Sequence, residues 1–279
     1  MAGRRTRRTR VERYAAHVSG TAGIAAREDQ LAVEEPLEVR IDGKPFVVTM
    51  RTPGDDFDLV AGFLVSEGVI WSPEQLMAMR YCAGTDEDGH QTFNVVEAVL
   101  APDVQRPDTS LERHVYTSSS CGICGTASID AVHKVAHASV ADDDTTFARD
   151  LLAALPDRLR EHQAVFDRTG GVHAAGLFDA DGELLCLRED VGRHNAVDKV
   201  VGWALREGRV PLRGTVLQVS GRASFELAQK AHLAGVPVLS AVSAPSSLAV
   251  EHAASAGMTL VAFNRAGRFN AYGATHRIA

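Results

Sequence analysis

The last third of the chain alternates between two hydrophobic periods. Residues 215–219, 237–242 and 259–263 are short runs of strand length, rich in Val, Leu and Ala. Between them, residues 223–234 and 246–256 space their apolar positions at helical intervals. This β-α-β-α-β succession predicts parallel strands joined by right-handed crossovers, a sheet that binds ligands beyond its strand carboxyl ends. Two polar, glycine-containing segments fall at those ends: Ser220-Gly221-Arg222 and Asn264-Arg265-Ala266-Gly267-Arg268. Upstream, residues 172–178 and 183–188 flank Asp179-Ala180-Asp181-Gly182 as a hairpin, and residues 193–206 form an amphipathic helix. Nearer the start, residues 34–50 alternate as two strands around Asp42-Gly43. Thr52-Pro53-Gly54-Asp55-Asp56 opens a helix with Phe57, Val60, Phe63 and Leu64 on one face, stopped by Gly68. Ser72-Pro73 begins a second short helix, residues 92–100 read as a strand, and 101–113 as a polar surface loop. The expected class is α/β, with a smaller α+β part at residues 31–113 and the main domain at 114–279.

Composition permits a sizeable core, with 45% apolar and 23% charged residues among 279. The net charge of −7 hides an asymmetry, because residues 1–14 carry six arginines against Glu12. Residues 1–30 therefore read as a disordered basic arm; no basic patch continues behind it, so no nucleic-acid partner is expected. The arginine pair in the arm is followed by no apolar run of the kind an export signal needs. Nor does any stretch approach the ~18 apolar residues of a membrane helix. Four cysteines in a chain of this length are not a disulfide framework. A cytoplasmic protein with reduced thiols is expected.

The densest chemistry lies in Ser118-Ser119-Ser120-Cys121-Gly122-Ile123-Cys124-Gly125. Thiolate is the reactive form of cysteine, and the two glycines leave the sulfurs uncovered. Residues 126–137 space Ile129, Val132 and Val135 helically, so the loop feeds a helix N-terminus that favours an anionic sulfur. Cys121 is the first candidate nucleophile and Cys124 its partner. The pair fits a persulfide carrier, a thioredoxin-like dithiol or half of a zinc knuckle. Zinc needs further ligands at matched spacing, and Cys82 and Cys186 are singletons in apolar stretches that read as small core residues, so no metal is expected. Zinc deaminases also carry a cysteine pair, with H-x-E. Here Gly170-Gly171-Val172-His173-Ala174-Ala175 has alanines where the glutamate would stand, which leaves at most a deaminase-like scaffold without that chemistry.

Glu189-Asp190-Val191-Gly192-Arg193-His194-Asn195 leads into the helix at 193–206, where Asp190 can cap and His194 and Asp198 share a face. This run reads equally as a solvated surface helix or as a ligand contact. Arg265 and Arg268 around Gly267 suit a phosphate or diphosphate, and Ser220-Gly221-Arg222 can present N–H groups to an anion.

Taken with Glu34-Glu35-Pro36-Leu37, Arg51-Thr52-Pro53-Gly54-Asp55-Asp56 and Val242-Ser243-Ala244-Pro245, these motifs resemble the formate dehydrogenase accessory sulfurtransferase family, FdhD, from about residue 31 onward. The resemblance implies a cytidine-deaminase-like α/β domain, usually dimeric. It implies a sulfur carrier that takes persulfide sulfur from a cysteine desulfurase onto Cys121 and passes it to the molybdenum bis-guanine-dinucleotide cofactor of the formate dehydrogenase catalytic subunit. It also implies that Phe263, Asn264, Arg265, Ala266, Gly267 and Arg268 bind that cofactor. The alternative is a molybdenum-cofactor chaperone that performs no sulfur transfer.

Overall fold

A computed structural model describes residues 5–15, 24–82, 84, 91–107 and 136–279. Its centre is a six-stranded sheet in the order β12-β11-β10-β9-β7-β8. Strands β9 (Val216–Val219), β10 (Val238–Ala241) and β11 (Thr259–Arg265) run parallel, linked by helices α5 (Phe225–Leu233) and α6 (Ser247–Ser255). The run read from the hydrophobic pattern is therefore present, element for element. Strands β7 (His173–Phe178) and β8 (Leu184–Asp190) form the expected hairpin, with β7 antiparallel to β9. β12 (Arg268–Gly273) folds back antiparallel on β11.

Strand alternation sorts the core into two layers. Ala174, Phe178, Val216, Val238 and Val261 pack on one face against Leu152, Leu155 and Leu159 of helix α2 (Arg149–Glu161). Ala175, Leu177, Leu217, Leu239 and Leu260 pack on the other, with α4 (Arg193–Arg206), α5 and α6. A short helix, α3 (Ala164–Thr169), follows α2 and ends at Gly170 in the left-handed conformation.

The N-terminal part is a four-stranded sheet, β4-β3-β6-β5, made of β3 (Glu35–Ile41), β4 (Lys44–Arg51), β5 (Leu76–Tyr81) and β6 (Val95–Leu100). The β3–β4 turn uses Asp42 and Gly43 at positive φ, as expected. Helix α1 (Asp56–Ser66) joins this part to the main domain by crossing α4. The two helices meet backbone to backbone: a Cβ on Gly62 would overlap the Asp198 carbonyl, and one on Gly202 the Asp58 carbonyl.

Two expectations are corrected. The segment after Ser72 is a single 3-10 turn, Pro73–Gln75, that passes directly into β5, because Leu76, Met79 and Tyr81 turn inward and the strand pairs with β6. The basic arm is not disordered where it is described: β1 (Thr6–Tyr14) pairs antiparallel with β2 (Ile24–Ala32). Acidic partners offset its charge, with Arg10 opposite Glu28, Arg8 3.8 Å from Glu28 and Arg5 2.5 Å from Asp55. The remaining residues of 108–135, and with them the expected cysteine-loop helix, lie outside the described residues.

Candidate functional site

The loops that leave the parallel strands continue the sheet's hydrogen bonding. The Ser243 N–H donates to the Gly221 carbonyl (3.2 Å), and the Phe263 N–H to the Ser243 carbonyl (3.0 Å). Ser220 is held at both ends, its N–H donating to the Ala174 carbonyl and its hydroxyl oxygen accepting from the Ala174 N–H. The Ala223 N–H donates to the Ala244 carbonyl. Of the three N–H groups expected to greet an anion at the Ser220 loop, that of Ser220 is thus spent on the protein itself, as is the Ala223 N–H that follows them, and α5 begins only after Ser224.

Beyond these strand ends opens a cleft of about 640 Å3, a volume suited to a nucleotide-sized ligand. Ser220, His173, Arg265 and Ala266 line it from the sheet; Arg160, Gln163 and Phe166 line it from α2, α3 and their junction. Three local rules are broken at the Arg265 corner. Phe263, at a bulge between Ala262 and Arg265, has a φ of 54°, a conformation costly for a side chain of its size. Ala266 and Gly267 close the β11–β12 hairpin with φ of 52° and 72°, the signs a type I′ turn requires, which glycine meets at no cost and alanine does not. Arg265 and Arg268 face each other across that hairpin, a like-charge pairing that destabilises a ladder, and neither has an acidic partner among the described residues. Violations concentrated in one corner are what a binding site shows when local stability gives way to function.

The six-residue stretch 263–268 does not act as a unit. Arg265 and Ala266 line the cleft; Phe263, Gly267 and Arg268 are exposed beside it. Asn264 faces inward and is 0% exposed, donating to the Leu152 carbonyl (2.7 Å) and the Ser240 hydroxyl oxygen (3.0 Å). Its side chain ties α2 to the strand ends and does not line the cleft.

The polar run at 189–199 is interior rather than solvated. Asp190 accepts from the Thr52 N–H (3.0 Å), the Gly192 N–H (2.8 Å) and Asn195 Nδ2 (3.1 Å), and lies 2.8 Å from Lys199 Nζ. Lys199 also donates to the Thr52 carbonyl, and Asn195 to the Met50 carbonyl. Asp190 therefore caps no helix N–H; it joins the Arg51-Thr52 segment to the start of α4. Asp198 accepts from Ser66 and Lys230, and His194 approaches Glu226 at 2.5 Å. Glu189 takes the Val165 and Phe166 N–H groups, both at 2.8 Å, which fixes the start of α3 on the cleft wall. Burial lowers the His173 pKa, and the nearby Arg193 and His194 lower it further, so its imidazole reaches the cleft in the neutral form near pH 7.

Cys121 and Cys124 lie outside the described residues. Cys186 is buried and its thiol is pushed up to about 12 by burial, an inert core group as expected; Cys82 is half-buried, its Sγ 3.9 Å from Glu97. No group of three His, Cys, Asp or Glu among the described residues could hold a metal ion. No helix among them is long and apolar enough to cross a membrane. Sequence reasoning missed the α2–α3 side of the cleft. Leu152, Leu155 and Leu159 reveal the helix, yet nothing in their spacing announces that its other residues reach a ligand site.

The family model for FdhD/NarQ matches residues 32–279. The sulfur carrier protein FdhD of Streptomyces avermitilis is 61% identical over 259 residues, covering 92% of this chain and 91% of that protein. That of Nocardia farcinica is 55% identical over 278 residues, covering 100% of this chain and 96% of its own. The crystal structure described as a formate dehydrogenase accessory protein from Desulfotalea psychrophila superposes with a TM-score of 0.76. It covers 99% of this chain and 100% of its own at 23% identity, a likeness of fold.

Proposed function

The chain belongs to the FdhD/NarQ family, and from that premise we propose that it is a sulfur carrier serving formate dehydrogenase, with Cys121 as the sulfur-bearing residue. The Cys121 thiolate attacks the outer sulfur of a cysteine desulfurase persulfide. The inner sulfur leaves as the donor's thiolate, and Cys121 holds the outer sulfur as a persulfide. Handing that sulfane sulfur to the molybdenum centre of the bis-guanine-dinucleotide cofactor, with two electrons from a reduced molybdenum(IV) centre bringing it to sulfide, returns Cys121 to the thiolate. Cys124 assists in the same loop. The cofactor is a substrate here, its phosphates held near Arg265 and Arg268, whose guanidinium groups have no acidic partner among the described residues and match phosphate oxygens. The protein acts as a cytoplasmic homodimer and hands the sulfurated cofactor to the formate dehydrogenase catalytic subunit.

The single observation that carries this reading is a glycine-flanked cysteine pair in a chain with relatives, one of them 61% identical, that are named sulfur carrier proteins. Incubation with a cysteine desulfurase and free cysteine should add one sulfur atom to the Cys121 peptide, visible by mass spectrometry. Cys121→Ala should remove that mass and fail to restore formate oxidation in a strain lacking the protein. An unmodified wild-type peptide, together with full rescue by Cys121→Ala, would leave a cofactor chaperone in place of a sulfur carrier.

A further inference from the structure

An arginine grips irregular backbone on each side of the cysteine pair. Upstream, Arg106 Nη1 donates to the Ala101 and Val104 carbonyls, both at 2.6 Å, and Nη2 to the Leu100 carbonyl at 3.1 Å. Its Nε donates to the Asp42 carboxylate (2.8 Å), which also accepts from the Leu100 N–H (3.2 Å). The end of β6 and the chain that leaves it are thus pinned to the β3–β4 turn. Downstream, Arg277 is 0% exposed and uses all three guanidinium nitrogens. Nε donates to the Asp143 carbonyl and Nη2 to the Val140 carbonyl, both at 2.6 Å, and Nη1 to the Gly257 carbonyl at 2.8 Å. The backbone of Arg277 is anchored as well, its carbonyl accepting from the Phe147 N–H at 2.8 Å. Residues 101–107 and 136–146 form neither helix nor strand.

Stability alone explains neither grip well. Arg277 has no acidic partner among the described residues, and a buried guanidinium without a carboxylate is costly to desolvate. Arg106 is exposed, where an ion pair such as that with Asp42 contributes little. What both side chains accomplish is to satisfy carbonyls that no ladder reaches, and so to fix the path of the chain. Arg106 lies 15 positions before Cys121, and Val140 lies 16 positions after Cys124. We infer that Arg106 and Arg277 are positioning residues for sulfur transfer, because they fix where the chain enters and leaves the stretch that carries the cysteine pair. A group tethered between two fixed points meets its reaction partners at a higher effective concentration than one tethered to a loosened end. The inference rests on the reading of Cys121 as the sulfur-bearing residue.

Two rates test it in the full-length protein. Cysteine desulfurase with free cysteine gives the loading rate, read by mass spectrometry of the Cys121 peptide. Formate oxidation restored to a strain lacking the protein, at matched protein level, gives delivery. Arg106→Ala sits at an exposed position, where the freed carbonyls can turn to water. It should lower loading or delivery about fivefold or more. Alkylation of Cys121 by iodoacetamide, which needs no docked partner, should keep its wild-type rate. Arg106→Lys should restore only part of the loss, since an ammonium cannot span the carbonyls that a guanidinium fork spans. Arg277→Lys keeps the buried charge and, assayed well below its melting temperature, should show the same pattern. A merely structural role would lower the melting temperature and leave both rates intact per folded molecule. If Arg106→Ala matches the wild type in both rates, the positioning role is wrong and the sulfur-carrier reading stands. If the wild type itself takes up no sulfur at Cys121, that reading fails and this inference falls with it.

Discussion

The buried pair Asp190–Lys199 offers the sharpest test of how the two parts of this protein are joined. Asp190 is 0% and Lys199 1% exposed, with the carboxylate oxygen and ammonium 2.8 Å apart. Asp190→Asn keeps the volume but deletes the charge, and its amide NH2 would face donors already present, the Thr52 and Gly192 N–H groups and Lys199. Breaking one side of a buried ion pair costs about 3–5 kcal/mol, chiefly because the remaining charge is stranded without water. At about 2–4 °C of Tm per kcal/mol for a domain of this size class, the melting temperature should fall by roughly 6–20 °C. Lys199→Met in the same chain removes the stranded ammonium, so Asp190→Asn/Lys199→Met should recover part of the loss. Thermal unfolding followed by circular dichroism, with the double-mutant cycle evaluated at a common temperature, measures both quantities. A drop under 2 °C, or a double variant no more stable than Asp190→Asn alone, would refute the claim that this pair ties Arg51-Thr52 to α4.

Gly202→Ala should destabilise more than a helix propensity change allows, because its Cβ would overlap the backbone of Asp58 and Gly62, which cannot swing aside; an urea midpoint at or above wild type would contradict the close crossing of α1 and α4. Cys186, with its thiol pushed up from 9.0 to about 12 by burial, should resist thiol reagents at pH 8 in the native protein and react on unfolding. The same shift sets a pH dependence. The unfolded thiol ionises above pH 9 while the folded one stays protonated, so its stabilising contribution is complete below pH 9 and declines as pH rises toward 12. Cys186→Ala should flatten that alkaline decline, and an unchanged slope would assign it to other groups.

Much of this molecule is written in local patterns. The three parallel strands and two crossover helices follow from runs of Val, Leu and Ala separated by helical spacing. The hairpin turns follow from Asp42-Gly43 and Asp179 to Gly182, and the α4 boundaries match the expected 193–206. A C-x-x-C between glycines is likewise visible without any coordinates, since reactivity begins with residue type and backbone freedom. The arginines of 263–268 are visible for the same reason, because a strand end in a parallel sheet is a known place for ligands.

Tertiary structure decided what each polar residue does. Asp190, Asn195, Asp198 and Lys199 look alike on paper whether they face water, a ligand or another part of the chain. Only the arrival of Met50, Thr52, Ser66 and Lys230, 32 to more than 140 positions distant, made them an interior joint. Asn264 was separated from its arginine neighbours by a bulge that no periodicity encodes, and Gln163 became a cleft residue because α2 packs across the sheet. The arm became a strand because Ile24–Ala32 lies beside it with Glu28 in register. Backbone preferences act within a few residues and can be read along the chain, whereas burial and charge pairing depend on which distant segments meet.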